Sequence, residues 1–434
     1  MDKARYAAAK AVVRLHKGGW TAGAAHASLE GSKLEGRDRA FAAALLFGTA
    51  ERIVTLDYIL KPFLKKPPQK LDVEVRAILE TGLYQTVYMD IPARAAVNEA
   101  VSLARAMGKT SAAGLVNAVL RRASQVSLAE MQFSSEQERI CVTYSVSPAV
   151  AGAVMQSLPQ EYEEFFKASY AQDELCLRAN TLKLTAQQLV QKMQKKGYVA
   201  RLGNVPGSVY ALIPGGVRTE ESFLQGEYHV QAESSQFACA CLGVQPGMKV
   251  LDVCAAPGGK SATFAQQLRT GTGLTACDVR PNRLPLITDN FKRLGVEGAQ
   301  VLLQDGTKFV KAFCGQNRIL CDVPCSGLGV LRTKPDLRYV EGENFETLPE
   351  LQLSILENAS QYLAPGGRMV YSTCTVRKQE NNDVVKTFLQ RNEGYRCILP
   401  DALPQGTVEE NGMLTLLPHR TNLDGFFVAT LERL

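Results

Sequence analysis

Among the eleven cysteines of this 434-residue sequence there is no C-x-x-C pair, and only four histidines are scattered along the chain. The ligand spacing of a zinc site is therefore absent, and irregular cysteine spacing argues against a disulfide framework. No stretch approaches the roughly 18 apolar residues that a membrane span needs. The N-terminus, MDKARYAAAKAVVRLHKGG, carries charges at helical intervals in place of an apolar leader core with a cleavage site. Also missing are G-x-x-x-x-G-K-[ST] and G-x-G-x-x-G, which sets aside the P-loop and the dinucleotide fingerprint. No internal repeat or low-complexity tract is visible. The default expectation is a cytoplasmic, globular protein with mostly reduced thiols, no metal and a monomeric state, and its length exceeds what one hydrophobic core usually organises.

The net charge of +6 is unevenly placed. Residues 1–130 hold 19 Lys and Arg against 12 Asp and Glu, while residues 131–434 hold 30 against 31. A positive field confined to the first third suits a nucleic-acid partner.

From Lys3 to about Ser124 apolar residues recur at three and four spacing, broken at Gly18-Gly19, Gly31, Lys65-Lys66-Pro67-Pro68 and Gly108, which predicts an all-α bundle of five or six helices. Residues 125–145 are polar and weakly patterned and read as a linker. ELCLRANTLK, YVARL and SVYALIP then alternate like strands around the amphipathic TAQQLVQKMQKKG, a small α+β subdomain. From Lys249 strands alternate with helices: KVLDVCA, GLTACDV, AQVLLQD, RILCDVPC, GRMVYSTCT and GFFVATLER are the strands. That order specifies a doubly wound α/β sheet with its site at the strands' C-terminal ends. The expected divisions are 1–128, 129–235 and 236–434.

Chemistry-bearing residues fall at those ends. Cys254-Ala255-Ala256-Pro257-Gly258-Gly259-Lys260 joins the first strand to a helix, and its small residues let a ligand lie against backbone N–H groups. Asp278 ends the next strand about 20 residues on, where a carboxylate can accept from ribose hydroxyls. Asp305 ends the third strand. A lone strand-end acid is often a helix cap, but three consecutive strand ends bearing Gly-Gly, Asp and Asp favour a nucleoside site. The fourth and fifth strands end in Asp322-Val323-Pro324-Cys325 and Ser372-Thr373-Cys374. In a doubly wound fold these ends converge, so Cys325 and Cys374 should face each other across a substrate. Cytosine C5 is a weak nucleophile until a thiolate adds to C6, and a base must afterwards remove the C5 proton. Two cysteines with Asp322 suit that sequence, and the chemistry alone leaves open which cysteine attacks.

CAAPGGK, DVPCSGLGVLR-x-K-PD, STCT and PHRTNLDGFFVATL resemble the Nol/Nop/Sun family of RNA cytosine-C5 methyltransferases, with LRANTLK and GEYHVQAESSQ in family order across residues 175–434. DIPARAAVNEAVSLARAMG and GLVNAVLRR resemble the NusB-like domain, an α-helical RNA-binding module. Together they are similar to the branch that modifies small-subunit rRNA. The resemblance implies a Rossmann-like class I methyltransferase domain using S-adenosylmethionine, with an all-α NusB-like domain before it and 16S rRNA as partner. It implies that Cys254 to Lys260 wrap the cofactor, Asp278 takes its ribose, Asp305 lies beside the adenine, and Asp322 serves where cofactor and base meet. It assigns attack to Cys374 and product release to Cys325. The chain departs from the pattern in Val323, where alanine is common, and in Glu233, where Asp is expected; both bear on packing.

An amino-group methyltransferase would carry Asn- or Asp-Pro-Pro-aromatic at the fourth strand, which this chain lacks. A non-catalytic assembly factor would be expected to have lost Lys260, Asp322, Cys325 or Cys374, and all four are present. A tRNA or large-subunit rRNA substrate remains the alternative, because RNA specificity lies in loop shape and splayed bases.

Overall fold

The computed structural model describes residues 2–18, 25, 27–29, 31, 32, 34–171 and 174–434; Gly19, part of the first expected break, lies outside them. The chain forms two compact units, Met1–Met155 with Lys334–Glu341, and Gln156–Thr333 with Gly342–Leu434.

The first unit is helical. Among its described helices are α1 (Lys3–Gly18), α2 (Gly36–Glu51), α3 (Ile53–Leu60), α4 (Val73–Tyr88), α5 (Ala93–Ala106), α6 (Ala113–Ala123) and α7 (Glu136–Thr143). Helix α5 begins directly after Pro92, whose fixed φ and missing N–H cost nothing there. Val116, Val119 and Leu120 of α6 are buried while Arg121 and Arg122 are exposed. The stretch expected to be a linker holds α7. Ser135 accepts from the Glu138 N–H at its start, a cap that outweighs the weak apolar period, and the helix buries Ile140, Cys141 and Val142. The Lys334–Glu341 excursion belongs to this unit. Arg338 is buried and its carbonyl accepts from Ser147 N–H at 2.8 Å, while the Tyr339 hydroxyl donates to the Ala50 carbonyl at 2.7 Å.

After a short helix over Tyr162–Ala168, the second unit forms a four-stranded antiparallel sheet in the order β2-β3-β1-β4 (Val199–Leu202, Ser208–Leu212, Cys176–Ala179, Tyr228–Val230). Helix α8 (Ala186–Lys195) packs on it and begins with a Thr185/Gln188 capping box. Asn180 and Arg178 of the LRANTLK segment tie this sheet to the larger one: the Asn180 amide donates to the carbonyls of Gly226 and Leu294, and Arg178 to Gln266. The Glu233 carboxylate is buried and accepts from Val205 N–H, Ser208 and Tyr210, so this departure serves packing.

Helix α9 (Glu233–Cys241) leads into a nine-stranded sheet ordered β11-β12-β13-β9-β8-β5-β6-β7, with β10 (Tyr395–Ile398) also on β13. Strands β5 (Val250–Asp252), β6 (Leu274–Asp278), β7 (Gln300–Leu303), β8 (Gln316–Asp322) and β9 (Leu363–Thr373) run parallel. Strand β13 (Phe426–Arg433) is antiparallel to β9, and β11 (Val408–Glu410) and β12 (Met413–Leu416) extend that edge as a hairpin. Helices α10 (Gly259–Leu268) and α11 (Leu284–Leu294) cover one face; α12 (Leu348–Ser360) and α13 (Asn382–Arg391) cover the other. Alternate residues of β13 serve the two cores: Phe426 and Val428 face the first, Phe427 and Ala429 the second. Strand order reverses between β5 and β8, which opens the crevice where ligands of such sheets bind.

Candidate active site

Every predicted site residue lies at the C-terminal end of a parallel strand. Cys254 to Lys260 form the turn from β5 into α10. Gly258 has φ +98°, and a Cβ there would meet the Ile287 backbone at 3.2 Å, so the turn requires glycine. Ala255 N–H donates to the Cys277 carbonyl at 2.7 Å, which seats the turn against β6. Cys254 is half-buried, and its surroundings push the thiol pKa well above the ordinary value, desolvation contributing most.

Asp278 ends β6 and is buried; its carboxylate accepts from Ala256 N–H at 3.3 Å and Arg280 N–H at 2.9 Å. Asp305 lies two residues beyond β7 and keeps its hydrogen bonds local. It accepts from the N–H and hydroxyl of Thr307, which lower its pKa. Asp322 ends β8, paired in register with Ser372 of β9, whose hydroxyl donates to it at 2.8 Å. The Lys260 ammonium donates to the other Asp322 oxygen at 2.6 Å. Burial, the largest single influence, would lower the Lys260 pKa, but the Asp322 charge and hydrogen bond, together with Cys239 and Cys374, hold it above the ordinary lysine value.

Cys325 follows Asp322 by three residues and Cys374 directly follows β9, and the fold brings their sulfurs to 3.4 Å. The Cys374 hydrogen bond, then burial, pushes the Cys325 thiol well above its ordinary pKa, so Cys325 keeps its proton at neutral pH. The geometry brings together Lys260 with Asp322, Asp278 with the Gly-rich turn, and the two thiols; Asp305 lines the same edge without touching the others.

Several residues around this site were not singled out in the sequence. Asp252, at the end of β5, is buried and accepts from the Ser261 hydroxyl; burial raises its pKa to about 7. Ser372, Gln352, Glu380 and Asn381 surround the cysteine loops. Only position could have flagged them: Asp252 stands two residues before Cys254, and Glu380-Asn381 stand six and seven after Cys374. Among the described residues no cluster of three His, Cys, Asp or Glu could hold a metal, and no helix is long and apolar enough to cross a membrane.

A five-stranded parallel core with antiparallel β13 against β9, a Gly-rich turn after the first strand and acids after the next two is the arrangement of the Rossmann-like class I methyltransferases. Residues 239–432 match the model of the 16S rRNA methyltransferase RsmB/F family, and residues 2–125 match the NusB family. The chain is 31% identical to the probable ribosomal RNA small subunit methyltransferase B of Bacillus subtilis, covering 93% of each chain. It is 33% identical to ribosomal RNA small subunit methyltransferase B of Pseudomonas syringae pv. tomato, over 99% of this chain and 97% of that one. The fold matches the crystal structure of PH0851 with a TM-score of 0.84 at 23% identity, over 100% of this chain and 99% of that one. A methyltransferase homolog from Pyrococcus horikoshii matches at 0.61 and 26% identity, over 70% of this chain and all of that one. The chain belongs to the RsmB/F family and is an RNA methyltransferase.

Proposed function

We propose that this enzyme methylates C5 of a cytosine in 16S rRNA through a covalent adduct to Cys374, with Cys325 resolving that adduct. The observation that carries the reading is the pair of thiols 3.4 Å apart beside the Lys260–Asp322 ion pair. Small-subunit rRNA is favoured by the names of the relatives and by the basic NusB-like unit. The division at residues 128 and 235, into RNA-binding, α+β and catalytic parts, belongs to the same proposal, as does a cytoplasmic location.

The cofactor proposed is S-adenosylmethionine, which supplies a methyl group on a sulfonium. The donor set fits it: Asp278 would offer acceptors for ribose hydroxyls, the small residues of the Cys254–Lys260 turn would let the amino-acid side lie against backbone N–H groups, and Asp305 would stand at the adenine edge. Asp322, held by Lys260 and Ser372, serves where cofactor and base meet. The Cys374 thiolate would add to C6 and move the C5=C6 electron pair to C5, readying that carbon for the methyl group the cofactor would supply. Cys325 then gives its proton to the departing Cys374 sulfur and takes the C5 proton. The C5–H pair rebuilds the double bond as the C6–sulfur bond breaks.

The cysteine assignment is tested on denaturing gels with labelled, unmethylated 16S rRNA. Cys325→Ala should attack and transfer methyl yet stall as a slow-migrating protein–RNA complex, whereas Cys374→Ala should lose essentially all turnover and show no such band. The reverse pattern would exchange the two roles. Bisulfite mapping of rRNA from a deletion strain identifies the base.

A further inference from the structure

Glu380 and Asn381 are consecutive, both buried, on the turn that leads from Cys374 into α13. Each reaches a different cysteine loop. The Glu380 carboxylate accepts from the Ser326 N–H at 2.8 Å, directly after Cys325, and also from the Gln352 amide at 2.9 Å and Arg377 at 3.0 Å. The same Gln352 amide donates to the Pro324 carbonyl at 2.8 Å, directly before Cys325. Both peptide groups flanking Cys325 are therefore held from one anchor. Asn381 does the equivalent for the other thiol. Its carbonyl oxygen accepts from the Thr373 hydroxyl at 2.6 Å, and its amide donates to the Thr375 carbonyl at 2.9 Å, so it bridges the two neighbours of Cys374. A third link, Ser326 to Thr375 hydroxyl at 2.8 Å, joins the loops directly. The Tyr371 hydroxyl fixes the clamp from below by donating to the Glu380 carbonyl.

We propose that Glu380 and Asn381 are positioning residues that set the two thiols relative to each other, Asn381 aiming Cys374 for attack and Glu380 holding Cys325 for release. One peptide unit separates the two anchors, and each holds its own cysteine loop. A buried carboxylate with an arginine partner that spends its oxygens on a loop N–H and an amide costs desolvation, and what it secures here is loop geometry. Neither residue touches the reacting atoms; both act through the cysteines.

The kinetic arm of the test rests on the covalent reading above; a second arm does not. With full-length protein, S-adenosylmethionine and labelled unmethylated 16S rRNA, Asn381→Ala should slow formation of the protein–RNA adduct at least tenfold. Asn381→Asp keeps the acceptor for Thr373, loses the donor to Thr375, and should recover part of that rate. Glu380→Gln should form adduct at the normal rate and release it slowly, so the band accumulates as in Cys325→Ala. Glu380→Asp is the alternative if the amide fails to fold. Cofactor affinity and melting temperature should hold in the variants scored. In the independent arm, iodoacetamide labelling of Cys325 against pH, read by mass spectrometry, should move to lower pH in Glu380→Gln, because a carboxylate beside that loop has lost its charge. Equal slowing of formation and release in step with the folded fraction, with an unmoved Cys325 profile, overturns the proposal. If neither cysteine variant yields an adduct pattern, the covalent reading has failed and the labelling profile alone decides the clamp.

Discussion

The Asp278 carboxylate accepts two backbone N–H groups, from Ala256 and Arg280, so it organises the Gly-rich turn proposed to hold the cofactor. Asp278→Ala removes both the turn anchor and any charge-assisted bonds to a ribose, each worth about 1.5–3 kcal/mol. S-adenosylmethionine binding, measured by calorimetry, should weaken at least tenfold. An unchanged dissociation constant would reduce Asp278 to a turn anchor. The residue's place was legible in the sequence because a strand end beside a Gly-rich turn is a recognisable context. Glu380 and Asn381 were not legible, because a buried acid and an amide on a turn are identified only by what they meet across the fold.

At the scale of elements, α1, α3 and α4 share a buried ionic cluster. Arg76 donates to Asp57 and Glu80, both at 2.8 Å, Gln69 donates to Asp57 at 2.7 Å, and His16 pairs with Glu80 at 2.6 Å. Burial, and then the Glu80 charge, raises the Asp57 pKa to about 8. The unfolded chain loses that proton near the ordinary Asp value of 3.8. Between the two values the folded state holds a proton the unfolded state lacks, so stability should fall as pH rises, by at most about 1.4 kcal/mol per pH unit. Asp57→Asn should flatten the decline in melting temperature between pH 5 and pH 8 relative to the wild type. Identical slopes would mean that Asp57 is ionised throughout. Asp252 contributes a slope of the same sign in its own unit, ending near pH 7, which is why the difference between variant and wild type is the quantity to read. Of the elements themselves, the strands carrying the site and α10 fell where alternation and turn residues indicated. Helix α7 and the β10–β12 extension did not, since short elements with little period are stabilised by packing.

For the whole molecule, the basic excess of residues 1–130 predicts that the helical unit adds RNA affinity without chemistry. Deleting those residues would also remove the Ala50 carbonyl that Tyr339 bonds and strip the packing from buried Arg338, so charge substitution is the cleaner experiment. Arg94, Arg105 and Arg121 are exposed. Their combined change to Ala should raise the RNA dissociation constant and make its logarithmic salt slope shallower by roughly 2, at about 0.7–0.9 per lost phosphate contact, with cofactor affinity unchanged. An unaltered slope would assign the unit another role.

The sequence by itself determined the doubly wound sheet, the helical first third, the Gly-rich turn and the strand-end placement of Asp278, Asp305, Asp322, Cys325 and Cys374. Periodicity and turn chemistry are local, and a strand end is a position in sequence before it is a place in space. Only the tertiary structure decided that the two thiols lie 3.4 Å apart, that Lys260 neutralises Asp322, and that two adjacent polar residues hold both cysteine loops. It also decided that Lys334–Glu341, chain-continuous with the Cys325 loop, belongs to the helical unit. Apart from the bonds of Asn381, which span only six and eight residues, these are contacts between residues about 50 to nearly 300 positions apart, formed when burial of the cores brings strand ends and loops together, and no local pattern encodes them.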